Sequence, residues 1–260
     1  PSVPAQISGS SMIRIDGSGI FLLLCVAAIA AGAALLLRDK SMVGAFTQGA
    51  FRGSQAILGV AFVQNLYGSA GLVPLMIVAS VPLYNIFSVL VLTVTAPDAG
   101  AADHRGMVVR TLRGIITNPI ILGILAGLPF SLLSIDFPPM ADKFLGMLGG
   151  CATPMALLSI GASFEGAKAI KKLVPTCAAT FIKLILLPVI FLPIAVHMGF
   201  REQALVAIVI LCGAPSTVSG YVMAKNMGAD HVLSSSIIVL TTVLSAITLT
   251  LTLFILKSLA

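Results

Sequence analysis

Charge is scarce in this sequence. Asp, Glu, Lys and Arg make up 9% of 260 residues, hydrophobic residues 58%, and mean hydropathy is +1.10. A soluble domain of this length must cover itself with polar side chains, so the composition excludes one. Acidic residues are rarest, nine against fifteen Lys and Arg, and all fall in loops or at the ends of apolar runs. The paired buried carboxylates expected of a cation or proton antiporter are missing from the visible runs. The four cysteines, Cys25, Cys151, Cys177 and Cys212, lie singly within apolar runs, without the spacing of a disulfide framework or a zinc site. His104, His197 and His231 stand at loops or run ends, and no HExxH, GxSxG or glycine-rich phosphate loop occurs.

Long apolar runs are what remains. Read in order they are 19–37, 43–64, 72–95, 119–134, 144–164, 174–196, 203–224 and 232–256. Each approaches the roughly twenty residues that carry a helix across about 30 Å of hydrocarbon. They are too many for a signal peptide or an anchor, and too continuous for the alternating strands of a barrel. The reading is all-α: a polytopic membrane protein with eight complete spans. The opening PSVPAQIS, which lacks Met, reads as the end of another span.

Lys and Arg are retained on the cytoplasmic side of short loops. Arg38 and Lys40, Arg105, Arg110 and Arg113, Lys168, Lys171 and Lys172, and Lys225 all fall on one side if each run crosses once. The other side carries only Arg14, Lys143, Arg201 and Lys257. The first side is read as cytoplasmic and the C-terminus as outside, in a bacterial plasma membrane. This bias accounts for the net charge of +6 without nucleic acid. Arg105 to Thr117 sets basic residues against Val108, Val109, Leu112, Ile115 and Ile116 and reads as an interfacial helix. Asn118-Pro119 then reads as the cap and first turn of the next helix.

Shifting the chain by about 160 residues lays its first spans over its last. Gly53 then falls on Gly213 and Gly68 on Gly228. Residues 119–164 find no mates inside the sequence, which predicts about 45 preceding residues and a parent of two five-helix halves in opposite orientations. The expected divisions are 1–95 for the first repeat, 96–118 for a cytoplasmic loop and interfacial helix, and 119–260 for the second repeat.

The stretch LCGAPSTVSGY, Leu211 to Tyr221, is anomalous for the middle of a span. Pro215 lacks an amide hydrogen and collides with the preceding turn, and Gly213 tolerates the bend. The helix should therefore break near Ala214. Its repeat mate, FRGSQAILGVA from Phe51 to Ala61, also carries glycine and polar groups in mid-span. Each break starts a half-helix whose N-terminus is worth roughly half a positive charge, and two such ends make an anion site. Arg52, Gly53, Ser54 and Gln55 are expected to line it from one side, and Gly213, Pro215, Ser216 and Thr217 from the other. Lys183 is the second cation within a span; it serves either the site or backbone carbonyls elsewhere in the bundle.

Five stretches, FRGSQAILGVAFVQNLYG, NPIILGILAGL, TPMALLSIG, FIKLILLP and GAPSTVSGYVMAKNMG, resemble the auxin efflux carrier family in their order and spacing. That family includes bacterial malonate and other organic-acid permeases. The resemblance implies ten helices in inverted halves, two broken helices crossing at mid-membrane, and an elevator-like motion of a transport domain past a scaffold. It implies that 119–164 belongs to the scaffold and 174–256 to the transport domain. Family members often carry proline at both crossings, whereas this chain has Gln55 at the first.

The reading is a secondary active transporter of small organic anions, mono- or dicarboxylates such as malonate, malate or auxin-like acids, working by alternating access. It is not an enzyme, uses no cofactor, and has a proton or sodium gradient as candidate coupling source. Its partners are the anion and the bilayer, with a homo-oligomer also considered. The alternative is a non-transporting membrane protein, such as a sensor or an intramembrane Ser hydrolase built on Ser216 or Ser219.

Overall fold

A computed structural model describes residues 28–37, 39, 41–54, 63–65, 68, 73–96, 104–133, 137–162, 164–200 and 202–259. The described residues form helices and no strands. In chain order they are α1 (28–36), α2 (Met42–Phe51), α3 (Val73–Val94), α4 (His104–Ile116), α5 (Pro119–Leu132), α6 (Pro139–Ala162), α7 (Gly166–Lys171), α8 (Leu173–Phe181), α9 (Leu187–His197), α10 (Glu202–Gly213), α11 (Val218–Asn226) and α12 (His231–Leu259). One π turn, Ile182–Leu186, joins α8 to α9.

Three described helices are long and apolar enough to cross a membrane: Pro139–Ala162, Leu173–His197 and His231–Leu256. The pair α10 and α11, bent by 40° at their break, makes a fourth if counted as one span. The segment expected as an interfacial helix is helical, as α4, with Val109, Leu112 and Ile116 exposed while Ile115 packs toward Val89 and Leu92. Asn118 Oδ1 accepts from the amide of Ile121 at 3.4 Å, at the start of α5. Helix α6 starts before the apolar run that announces it. Pro139 suits a first helical turn because its missing amide hydrogen would have no partner there, so the helix takes in Asp142 and Lys143 before the apolar run begins.

The packed centre is built by α2, α8 and α12, where Val43, Ala45, Phe46, Ala50, Ala179, Leu233 and Ile237 are buried together. A second cluster joins α9, α10 and α12 through Leu192, Ala195, Leu205, Val209 and Leu249. Glycine sets how closely α2 and α12 approach. A Cβ on Gly49 would stand 2.8 Å from Cδ1 and 3.0 Å from Cγ2 of Ile237. Gly68 and Gly228, aligned by the 160-residue shift, both take left-handed backbone, with φ of 73° and 72°.

The basic loops meet at one end of the bundle. Lys172 pairs with Asp230, and it also lies close enough to act on Asp39, in the loop that holds Arg38 and Lys40. Ser41 donates to Asp39 from its hydroxyl and amide, holding that carboxyl below its ordinary range. Arg113 and Met227 line one crevice at the same end.

Because Ile237 is β-branched and cannot clear both contacts by one rotation, Gly49→Val should cost about 1–3 kcal/mol through overpacking. The check is the melting temperature in detergent, and an unchanged value would refute the close contact.

Candidate functional site

The break at Pro215 starts from local chemistry. Helix α10 ends at Gly213; Ala214 still donates to Ile210 at 2.9 Å, after which Pro215 has no hydrogen to offer Leu211. The chain runs unwound until Thr217, whose hydroxyl caps α11 by accepting from the amide of Gly220 at 3.3 Å. Helix α2 ends at Phe51, and Arg52 is extended, with φ −78° and ψ 131°. Gly53 and Ser54 are also non-helical, while Gln55 lies outside the described residues.

The two breaks touch. The amide of Ser54 donates to the carbonyl of Pro215 at 2.8 Å. Ser216 reinforces the contact, its hydroxyl donating to the carbonyl of Gly49 at 2.5 Å while its amide donates to the hydroxyl of Thr241 on α12 at 3.1 Å. Ser54, Pro215 and Ser216 thus form one crossing.

Arg52 leaves that crossing toward α3 and α11. One terminal nitrogen donates to Asn85 Oδ1 at 2.7 Å and Ser219 Oγ at 2.8 Å. The other donates to Ser88 Oγ at 3.0 Å and meets the Met223 sulfur at 3.1 Å. Arg52 is 4% exposed, and its Nε is a buried donor without a partner. Every one of these partners is neutral. Gln48, one turn before Arg52, sends its amide nitrogen toward the Met223 sulfur at 3.9 Å and leaves its Oε1 unpartnered. Ser219 and Thr217 share a 2.5 Å hydrogen bond beside the guanidinium.

A buried guanidinium normally faces a carboxylate, because desolvating a cation costs several kcal/mol that neutral dipoles recover only in part. Here the terminal nitrogens meet amide, hydroxyl and thioether groups while the Nε donor meets none, an arrangement open to a planar anion. Thr217 and Ser216, expected as lining groups, direct the hydrogen bonds given above into the protein itself. Lys183 lies apart, fully buried, its ammonium donating to the carbonyls of Phe51 at 3.2 Å and Leu211 at 3.5 Å.

Known proteins bear on this geometry. A family model described as membrane transport protein matches residues 10–253. The chain belongs to this auxin efflux carrier-type family of membrane transport proteins. No curated protein matches the chain. Membership makes it an integral membrane protein of a transporter family, not of an enzyme family.

Asn85, Ser88, Gln48 and Met223 are absent from the residues expected at the site. The available signal was Asn85 and Ser88 at i and i+3 within an apolar run, where polar groups share one helix face.

Removing the Ser216 hydroxyl takes away a cross-helix bond at the crossing. Ser216→Ala should therefore lower stability by about 1 kcal/mol. Melting with and without substrate checks this, and a loss confined to the substrate-bound state would instead make Ser216 a ligand group.

Proposed function

We propose that the chain is a secondary active transporter of small organic anions, mono- or dicarboxylates of the malonate, malate or auxin-like class, working by alternating access. In this reading eight spans belong to a ten-helix inverted repeat, and the crossing of α2 with the break before α11 is the substrate site. The observation that carries it is Arg52: a guanidinium buried beside two helix breaks and, among the described residues, hydrogen-bonded only to neutral groups with one donor unpartnered. A carboxylate there gains charge-assisted hydrogen bonds that Asn85 and Ser219 do not match. The matching left-handed glycines at 68 and 228 support the repeat.

Substrate would compete for Arg52 with Ser219 and Asn85, so binding would loosen the ties between α3, α2 and α11. Family membership supports transport as the activity; the anion rests on Arg52 alone. The basic end of the bundle is read as cytoplasmic, with the C-terminus outside, and a homo-oligomer in a bacterial plasma membrane is the proposed setting.

The test is uptake of radiolabelled malonate, malate, lactate and indole acetate into proteoliposomes containing the full chain. At least one should give saturable flux, and none doing so would end the proposal. Arg52→Gln should weaken affinity for that anion by about 10- to 100-fold while the protein stays folded. Equal affinity in the variant would move the site elsewhere.

A further inference from the structure

Lys183 is a second buried cation among the described residues, and the proposed anion site makes no use of it. Its ammonium lies between the carbonyls of Phe51 and Leu211. These residues are repeat mates under the shift of about 160 residues. Each closes a leading half-helix: α2 ends at Phe51, and Leu211 lies in the last turn of α10. The Leu211 carbonyl is available for a definite reason, since the amide that should reach it in a continuous helix belongs to Pro215, which has none. Two helix C-termini carry about half a negative charge each, so together they balance about one positive charge.

The approach to this point is also built. Residues Ile182–Leu186 form a π turn, closed by the amide of Leu187 donating to the carbonyl of Ile182. An inserted π turn rotates the side chains that follow out of α-helical register and recurs at functional positions. Lys183 sits within it, 0% exposed.

Converging carbonyl ends of broken helices are the environment in which membrane transporters hold a mobile monovalent cation. We infer that the Phe51 and Leu211 carbonyls form such a monovalent-cation site, and that the Lys183 ammonium fills it as a tethered cation. The two helix C-termini are then charge-balanced whether or not an anion is bound, and this position needs no sodium or potassium ion from solution. The inference concerns the helix C-termini and stands apart from the Arg52 reading.

The experiment compares melting of the wild-type chain, Lys183→Ala and Lys183→Met in detergent without any organic anion. Each is measured in sodium, potassium, methylammonium and choline chloride at equal ionic strength, with methylammonium present throughout purification of the variants. Lys183→Ala should melt lowest in choline and recover saturably by about 5 °C in sodium or methylammonium, which fit the vacated space. Lys183→Met, which fills that space without charge, should stay low in all four salts. Wild type should melt alike in all four.

A Lys183→Ala chain indifferent to the salt would overturn the inference, as would wild-type protein stabilised specifically by sodium. A Lys183→Ala chain that folds in none of the salts overturns it too, since a vacated ion site must be refillable. Because no transported anion enters these measurements, their failure leaves the Arg52 proposal standing, and the reverse holds.

Discussion

Interrupting a helix inside hydrocarbon leaves backbone groups that no solvent will satisfy, and this protein is organised around meeting that demand. Pro215 starts it by withholding an amide from Leu211. The carbonyl of Pro215 then receives the amide of Ser54, so one break answers the other. Thr241 on α12 takes the amide of Ser216, and Lys183 reaches the carbonyls of Leu211 and Phe51. Partners come from helices far apart in sequence, so the breaks hold only when the whole bundle has assembled. Gly49 permits this closeness, and its carbonyl is itself one of the acceptors.

Arg52 and Lys183, the two buried cations among the described residues, differ in geometry. Lys183, a compact charge on a flexible stem, reaches the carbonyl of Phe51 and that of Leu211, from which Pro215 withholds an amide. Arg52 presents a rigid fork to Asn85, Ser88 and Ser219, side chains of the kind that can rearrange. A cation held by backbone is fixed with the fold. One held by hydroxyls and a side-chain amide is free to exchange them for a stronger acceptor. That contrast is why the anion is assigned to Arg52 and the structural balance to Lys183.

Much of this was legible in the sequence. Pro215 after Gly213 announces a break because proline chemistry is local, and the unwound residues fall where that chemistry puts them. The first break carries no proline, and it was legible only through the repeat; the helix does end at Phe51, one residue before Arg52. The alternatives for Lys183 could not be separated from sequence, since its partners lie 132 and 28 residues away. Asn85 and Ser88 were hidden for the same reason. In a run of apolar residues, a polar side chain declares that it needs a partner and not which partner it finds. The π turn was illegible because Ile182–Leu186 reads as ordinary helix until packing rotates it.

Where the polar groups went also explains the outside of the molecule. Gln48, Asn85, Ser88 and Thr241 are at most 1% exposed, while Val243, Ile247 and Phe254 on α12 are at least 64% exposed. In water this would be an inverted and unstable surface. Lipid removes the penalty, since its tails are as apolar as leucine and give helices no hydrophobic reason to associate. Helix α6 illustrates the limit: it touches the centre through Ile160 against Tyr221 and Ile238, while Met140, Phe144, Met147, Met155 and Leu158 remain exposed. Cohesion must therefore come from close backbone approach and buried hydrogen bonds. Both are concentrated at the crossing, so the element proposed as the substrate site is also one that holds the bundle together. A ligand that rearranges those hydrogen bonds acts directly on the packing of α2, α3 and α11.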